Sequence, residues 1–109
     1  MKKEDYFVRV PVSVLMNSEL TRSSVLLYAI LIDGADPNGL QYVTIEQLAD
    51  RCRISPATVR RSERQLVEAD LITVQRTGRG SLIGLVGAGS MLRQVSGVAA
   101  YRAAKRKEA

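Results

Sequence analysis

The chain has 109 residues, 46% of them apolar and 25% charged, which suits one domain with a packed core and is too short for two ordinary domains. It carries 16 Lys and Arg, twelve of them Arg, against 11 Asp and Glu, for a net charge of +5. One Cys and no His exclude an internal disulfide, a zinc finger of the Cys/His type and a His-based catalytic triad within this chain. No signal peptide or membrane-spanning run is evident, so a cytoplasmic location is predicted, with no membrane partner.

The N-terminal segment predicts extended backbone. Residues 1–5 (MKKED) are charged and are expected to be a flexible N-terminus. The segment Tyr6 to Leu15 is interrupted by Pro11, and around that proline three valines recur at period two: Val8, Val10 and Val12. This pattern predicts either a short edge strand or an extended arm laid over the core.

The first long helix is predicted from Arg22 to Asp33. Thr21 is a good N-cap for it, and the run RSSVLLYAILID is apolar on more than one side, which indicates deep burial. The turn-forming residues from Gly34 to Leu40 then predict a loop, followed by a very short strand over residues 41–43.

Two short helices joined by a tight turn are predicted between Thr44 and Asp70. Thr44 and Gln47 have the spacing of a capping box, and Ser55 is an N-cap with Pro56 at the first helical position. One face of the first helix is apolar at helical spacing, with Ile45, Leu48, Ala49 and Cys52.

The second helix of the pair has two different faces. At about 100° per residue, one side collects the core-facing positions and the other collects the basic ones. The core side holds Val59, Ser62, Leu66 and Ala69, and the opposite side holds Ala57, Arg60, Arg61 and Arg64. An arginine face behind a small N-terminal residue is the pattern of a helix in a DNA major groove, and a solvated basic face is the alternative.

A β-hairpin is predicted after this helix. Leu71 to Gln75 and Ser81 to Val86 are β-rich, and the glycine-containing segment RTGRG from Arg76 to Gly80 is the predicted turn. The turn would present Arg76 and Arg79 to phosphate or to a narrow minor groove, or it would be a solvated hairpin tip.

Residues 87–109 are predicted to be a hinge and a helical tail. Gly87-Ala88-Gly89 is the hinge, and Ser90 would cap a helix through SMLRQVSGVAAYRAAKRK. The apolar stripe of this helix would dock on its own domain or join a homodimer. It contains Met91, Leu92, Val95, Val98 and Ala99.

No constellation suited to catalysis is evident, so the protein is not expected to be an enzyme, and no cofactor, metal or small-molecule ligand is predicted. Glu63 and Glu68 lie among arginines and are interpreted as surface charge balancing. The Gly87–Ser90 segment lacks the lysine and the spacing of a P-loop.

From about Phe7 to Val86, the order of helix, turn-rich loop, short strand, helix-turn-helix and arginine-tipped hairpin resembles a winged helix-turn-helix domain. The segment VTIEQLADRCRISPATVRRSERQLVEADLITV carries most of this likeness. It is similar to the winged helices of plasmid and phage replication initiators, conjugation accessory proteins and small bacterial repressors. The chain departs from the usual pattern at Arg53 and Asp70, where such domains often carry glycine.

The resemblance implies an α+β fold with a three-helix core, a C-terminal β-hairpin wing and, in this chain, an extra C-terminal helix. The domain would span residues 6–86. It implies sequence-specific binding to double-stranded DNA, or, as the alternative, a protein-interaction module that binds DNA weakly and without preference. The residues expected to contact DNA are Thr44, Arg53, Ser55, Ala57, Thr58, Arg60, Arg61, Arg64, Arg76 and Arg79, and Arg51 is a further candidate for the backbone.

Overall fold

A computed structural model describes residues 7–87 of the chain. The described elements are helix α1 (Val12–Leu15), helix α2 (Arg22–Gly34), strand β1 (Leu40–Val43), helix α3 (Ile45–Cys52), helix α4 (Pro56–Glu68), strand β2 (Ile72–Thr77) and strand β3 (Gly80–Leu85). The predicted α+β winged helix-turn-helix architecture is confirmed. The predicted flexible N-terminus and C-terminal helix lie outside the described residues, as does any homodimer contact made by that helix.

Helix α2 is the centre of the core. Thr21 caps it as predicted, accepting a hydrogen bond from the Ser24 amide at 3.2 Å. The helix packs against both α3 and α4. Because it is enclosed on more than one side, it buries Leu27, Tyr28, Leu31 and Ile32 almost completely.

The three strands form an antiparallel sheet in the order β1-β3-β2. Ile83 is at the middle of β3, where it pairs with Gln41 on one side and Val74 on the other. The hairpin of β2 and β3, called the wing below, therefore joins a strand that precedes the helix-turn-helix. None of the helices among residues 7–87 is long and apolar enough to cross a membrane.

The prediction of a strand or arm from Tyr6 to Leu15 was partly wrong. Residues 12–15 form the single helical turn α1, in which the amides of Val14 and Leu15 donate to the Pro11 carbonyl at 3.0 and 3.2 Å. The alternation of half-buried and exposed side chains ends at Pro11: Val12 is exposed, and the helical turn, rather than a strand, brings Val14 into the core. Residues 7–11 belong to no helix or strand, and Val8 and Val10 pack against the core, as the arm hypothesis expected.

The wing tip is shorter than predicted. Strand β2 runs through Arg76 to Thr77, which pairs directly with Gly80, so Gly78 and Arg79 alone make the turn. Gly78 has a φ of +60° and Arg79 has a negative φ, as in a type II′ turn. Arg76 consequently lies on a strand instead of at the tip, because the ladder extends two residues further than the β-rich pattern indicated.

Candidate functional site

The helix-turn-helix is built by side-chain caps at both helix starts. The Thr44 hydroxyl accepts from the Gln47 amide at 3.0 Å, and the Gln47 side chain accepts from the Thr44 amide at 2.9 Å, so the predicted capping box is confirmed. At the second helix, the Ser55 hydroxyl accepts from the Thr58 amide at 3.1 Å and lies 2.9 Å from the Thr58 hydroxyl. Each hydroxyl therefore satisfies one backbone amide at an exposed helix N-terminus.

The turn between α3 and α4 passes through a left-handed residue. Arg53 has φ 58° and ψ 43°, the conformation in which glycine is usual, and Asp70 after α4 has the same φ. The side chain of Arg53 is exposed. The turn therefore keeps its usual geometry with a charged residue in place of glycine, at a steric cost of about 1–2 kcal/mol.

Arg53→Gly is expected to raise the free energy of unfolding by about 0.5–1 kcal/mol, since the steric gain exceeds the entropy that glycine loses on folding. Urea denaturation of the purified domain measures the change. Arg53→Ala is the matched control, because it removes the same side chain but keeps the Cβ, and it should give no gain. A glycine variant less stable than the alanine variant would contradict this account of the turn.

Helix α4 presents its arginine face to solvent. Val59, Ser62 and Leu66 anchor the other face in the core. The residues Ala57, Arg60, Arg61 and Arg64 are all exposed. Within residues 7–87 no hydrogen bond or ion pair ties up the guanidinium groups of Arg53, Arg60, Arg61, Arg64 or Arg79. Five of the predicted arginines therefore have guanidinium groups available to an external anion.

Arg76 differs from these arginines because it is bound within the protein. Its guanidinium donates to Glu63 Oε1 at 3.0 Å and to the Ser81 hydroxyl at 2.7 Å. The Arg76 side chain is 60% exposed, whereas that of Glu63 is 4% exposed. The interpretation of Glu63 as surface charge balancing was therefore wrong: Glu63 is a buried carboxylate that links α4 to the wing.

The environment of Glu63 is unfavourable for a charge. Burial raises the pKa of this carboxyl, an effect that Arg76 opposes through its charge and hydrogen bond and Arg60 opposes through its charge. Its second oxygen, Oε2, is buried without a hydrogen-bond partner in the described part of the chain. Burying the Glu63 carboxylate destabilises the folded state, and the ion pair with Arg76 offsets part of that loss.

An open cleft of about 360 Å³ lies between the arginine face of α4 and the wing. The structure brings together Arg60, Arg64 and Arg76 around it, with Glu63 between them and Val67 and Val74 as apolar walls. Arg53, Arg61 and Arg79 do not line this cleft. The predicted arginines consequently form a concave group of three, with other guanidinium groups on the surrounding exposed surface.

Tyr42, which the sequence did not indicate as functional, positions the wing. From strand β1, its hydroxyl donates to the Thr77 carbonyl at 2.7 Å and accepts from the Gly80 amide at 3.0 Å, which fixes both ends of the wing turn. A Cβ on Gly80 would lie 2.9 Å from the Tyr42 ring and 3.0 Å from the Val43 carbonyl oxygen. These close contacts within the protein explain the glycine at position 80, whether or not an external partner also approaches it.

Gln65 was also missed, and it positions α4 on α2. Its side-chain oxygen accepts from the amide and the hydroxyl of Thr21, at 3.1 and 3.2 Å, and from the Ser24 hydroxyl. Thr21, which caps α2, therefore also holds α4 in place through Gln65. A polar residue on the flank of an amphipathic helix gives no sequence signal for such a contact.

Comparison with known proteins adds one relationship. Searches of curated proteins and of solved structures gave no match. A family model described as a helix-turn-helix domain matches residues 18–72, from the residues before α2 to the start of the wing. That match covers half of the chain, and the chain therefore belongs to the helix-turn-helix domain family.

Proposed function

We propose that this domain binds double-stranded DNA in a sequence-specific manner, with α4 in the major groove and the wing tip on the neighbouring backbone or minor groove. Membership of the helix-turn-helix family supports DNA binding in general and is typical of binding modules that are not enzymes. The observation that carries the proposal is the exposed face of Arg60, Arg61 and Arg64, whose guanidinium groups have no partner within residues 7–87. Arginine pairs bidentately with guanine O6 and N7.

The other predicted residues have supporting roles in this proposal. Ala57 and Thr58 lie in the first turn of α4, where a thymine methyl or a phosphate would come close. The N-termini capped by Thr44 and Ser55, together with Arg53, would contact phosphates. The process served would be regulation, replication or conjugation in a plasmid, phage or bacterial system.

Selection from a random duplex library tests the proposal. Selected and scrambled duplexes are compared by titration at two salt concentrations. A specific site should be favoured by about 4–10 kcal/mol over non-specific DNA. If both duplexes bind with equal affinity and both affinities fall equally with salt, the arginines act only as an electrostatic patch. That result would contradict sequence-specific readout.

A protein-interaction module is the second candidate function. It is favoured by apolar side chains that remain exposed in the N-terminal segment, namely Phe7, Val12, Leu15 and Met16. Single exposed apolar residues are ordinary, but four within ten positions exceed that expectation. This function gains support if the library selects no preferred duplex.

Arg79→Ala is expected to weaken binding to selected and scrambled duplexes by a similar factor and to reduce the salt slope by about one unit. The reason is that Arg79, whose guanidinium has no partner among residues 7–87, would contact phosphate instead of base edges. Titrations over a series of salt concentrations measure both quantities. A loss confined to the selected duplex would instead make Arg79 a base reader.

A further inference from the structure

The ion pair between Arg76 and Glu63 joins the two parts of the domain that are proposed to meet DNA. Arg76 lies on the wing and Glu63 on the recognition helix, and the guanidinium faces the same cleft as Arg60 and Arg64. A phosphate that enters this cleft would compete directly with the carboxylate for Arg76. The exposed guanidinium can turn outward, whereas the buried carboxylate cannot follow it.

We propose that DNA opens this pair: Arg76 leaves Glu63 for a phosphate, and the Glu63 carboxylate takes up one proton from solvent in exchange. The exchange balances, because the phosphate replaces the carboxylate as the anion on Arg76 and the proton neutralises the carboxylate left behind. The inference rests on the proposed function. It makes Glu63 a positioning residue, because the protonation state of its carboxyl is coupled to whether Arg76 is available to DNA.

The reason for proton uptake is the burial of Glu63. With Arg76 in place, one carboxylate oxygen is paired and the other is buried without a partner among the described residues. Once Arg76 leaves, neither oxygen of this side chain, which is 4% exposed, has a hydrogen-bond partner among the described residues, and protonation removes the unpaired charge. The charge and hydrogen bond of Arg76, which lower the pKa of Glu63, are lost at the same moment, so burial is then opposed only by the charge of Arg60 and the pKa rises.

The surrounding groups leave Glu63 as the titrating site. The charged neighbours are Arg76 on β2 and Arg60 on α4, with Arg64 on the same cleft, and arginine does not titrate in proteins. On the other helices packed against α4, the buried titratable groups are Tyr28 of α2 and Cys52 of α3. Burial raises the pKa of both, so both are neutral in acidic and neutral solution.

The direction of the pH effect follows from linkage. The DNA-bound protein holds Glu63 at a higher pKa than the free protein, so it binds more protons between those two values. Affinity therefore increases as the pH falls through that window, by up to about tenfold per pH unit for one proton. Above the window the carboxylate is charged in both states, and the slope disappears.

The experiment uses the full chain and a duplex from the library selection, or a mixed-sequence duplex if none is selected. Titration calorimetry in buffers of different ionisation enthalpy counts the protons taken up, and affinities are measured across the acidic to neutral range. Glu63→Gln keeps the shape and can still accept from Arg76, but it cannot take up a proton. Glu68→Gln is the matched control, because it makes the same change at an exposed position of the same helix.

Between the pKa values of Glu63 in the free and the DNA-bound protein, wild type and Glu68→Gln should both take up as much as about one proton and show the same pH slope. Glu63→Gln should take up none, show a flat profile, and bind severalfold more tightly than wild type at neutral pH. If Glu63→Gln does not fold, NMR titration of the wild-type Glu63 carboxyl, free and with DNA, gives the same information through its pKa.

Three results would overturn the proposal. The first is DNA binding without proton uptake, and the second is a pH slope that Glu63→Gln and Glu68→Gln share. Either leaves the proposed function intact, provided that Arg61→Ala still weakens binding. The third is the absence of any duplex binding by wild type, which overturns the proposed function and this inference together.

Discussion

Arg76→Met is expected to lower the free energy of unfolding by about 1–3 kcal/mol at neutral pH, because it leaves the buried carboxylate of Glu63 without its partner. The methylene stem that packs beside the cleft is largely retained, so the loss reports the charge and not the packing. The exposure of Arg76 lets water replace part of what it supplied, which keeps the effect below that of a fully buried pair.

The pH dependence identifies the cause. Burial raises the pKa of Glu63, and in the Arg76→Met variant that pKa rises further. The loss of stability caused by the substitution is therefore present at a pH above the pKa of Glu63, and it shrinks as the pH falls and the carboxylate is protonated. Urea denaturation near neutrality and in mild acid measures this change. In the double variant Glu63→Gln/Arg76→Met most of the stability should return, because position 63 no longer carries a buried charge.

Arg79→Met is the control for this prediction. It makes the same substitution three residues away, on a side chain without an ion pair in the described region, and should change stability by less than about 0.5 kcal/mol. A loss as large as that of Arg76→Met would show that the wing tolerates no such change. The Glu63 explanation would then be wrong.

Arg61→Ala and Arg64→Ala are each expected to weaken binding to a selected duplex by about 1–3 kcal/mol and to relax sequence preference at the contacted position. The expected loss is large because each substitution would remove the bidentate pair with guanine that we propose for that arginine. Scrambled duplex should lose less, since only the charge matters there. The measurement is a titration of each variant against both duplexes at one salt concentration.

Arg22→Ala is the charge-matched control, because it removes the same charge from the start of α2 instead of from α4. Its effect should be small and similar for both duplexes. Unchanged titrations for Arg61→Ala and Arg64→Ala together would rule out the groove assignment of α4.

Much of the fold could be predicted because its signals are local. Caps at Thr21, Thr44 and Ser55 depend on residues three positions apart, and the structure bears all three out. The arginine face of α4 likewise follows from helical spacing alone. Local sequence signals therefore predicted helix α4 and the side of it that is exposed correctly.

The contacts that join the wing to the rest of the domain could not be predicted in this way. Glu63 lies one turn from both Val59 and Leu66, so its burial was available from periodicity, but its partner is 13 residues away on a strand. Tyr42 reaches the wing turn across 35 and 38 residues. Charge patterning along one helix does not encode a partner that arrives from another element.

The Tyr42 contact means that the wing is not a transferable module. A chimera that received residues 72–85 from this protein without Tyr42 would lose both hydrogen bonds that fix the ends of the turn. In the reverse exchange, a foreign hairpin with any side chain at position 80 would collide with the Tyr42 ring. Positions 42 and 80 should therefore change together among relatives, although the whole helix-turn-helix separates them in the sequence.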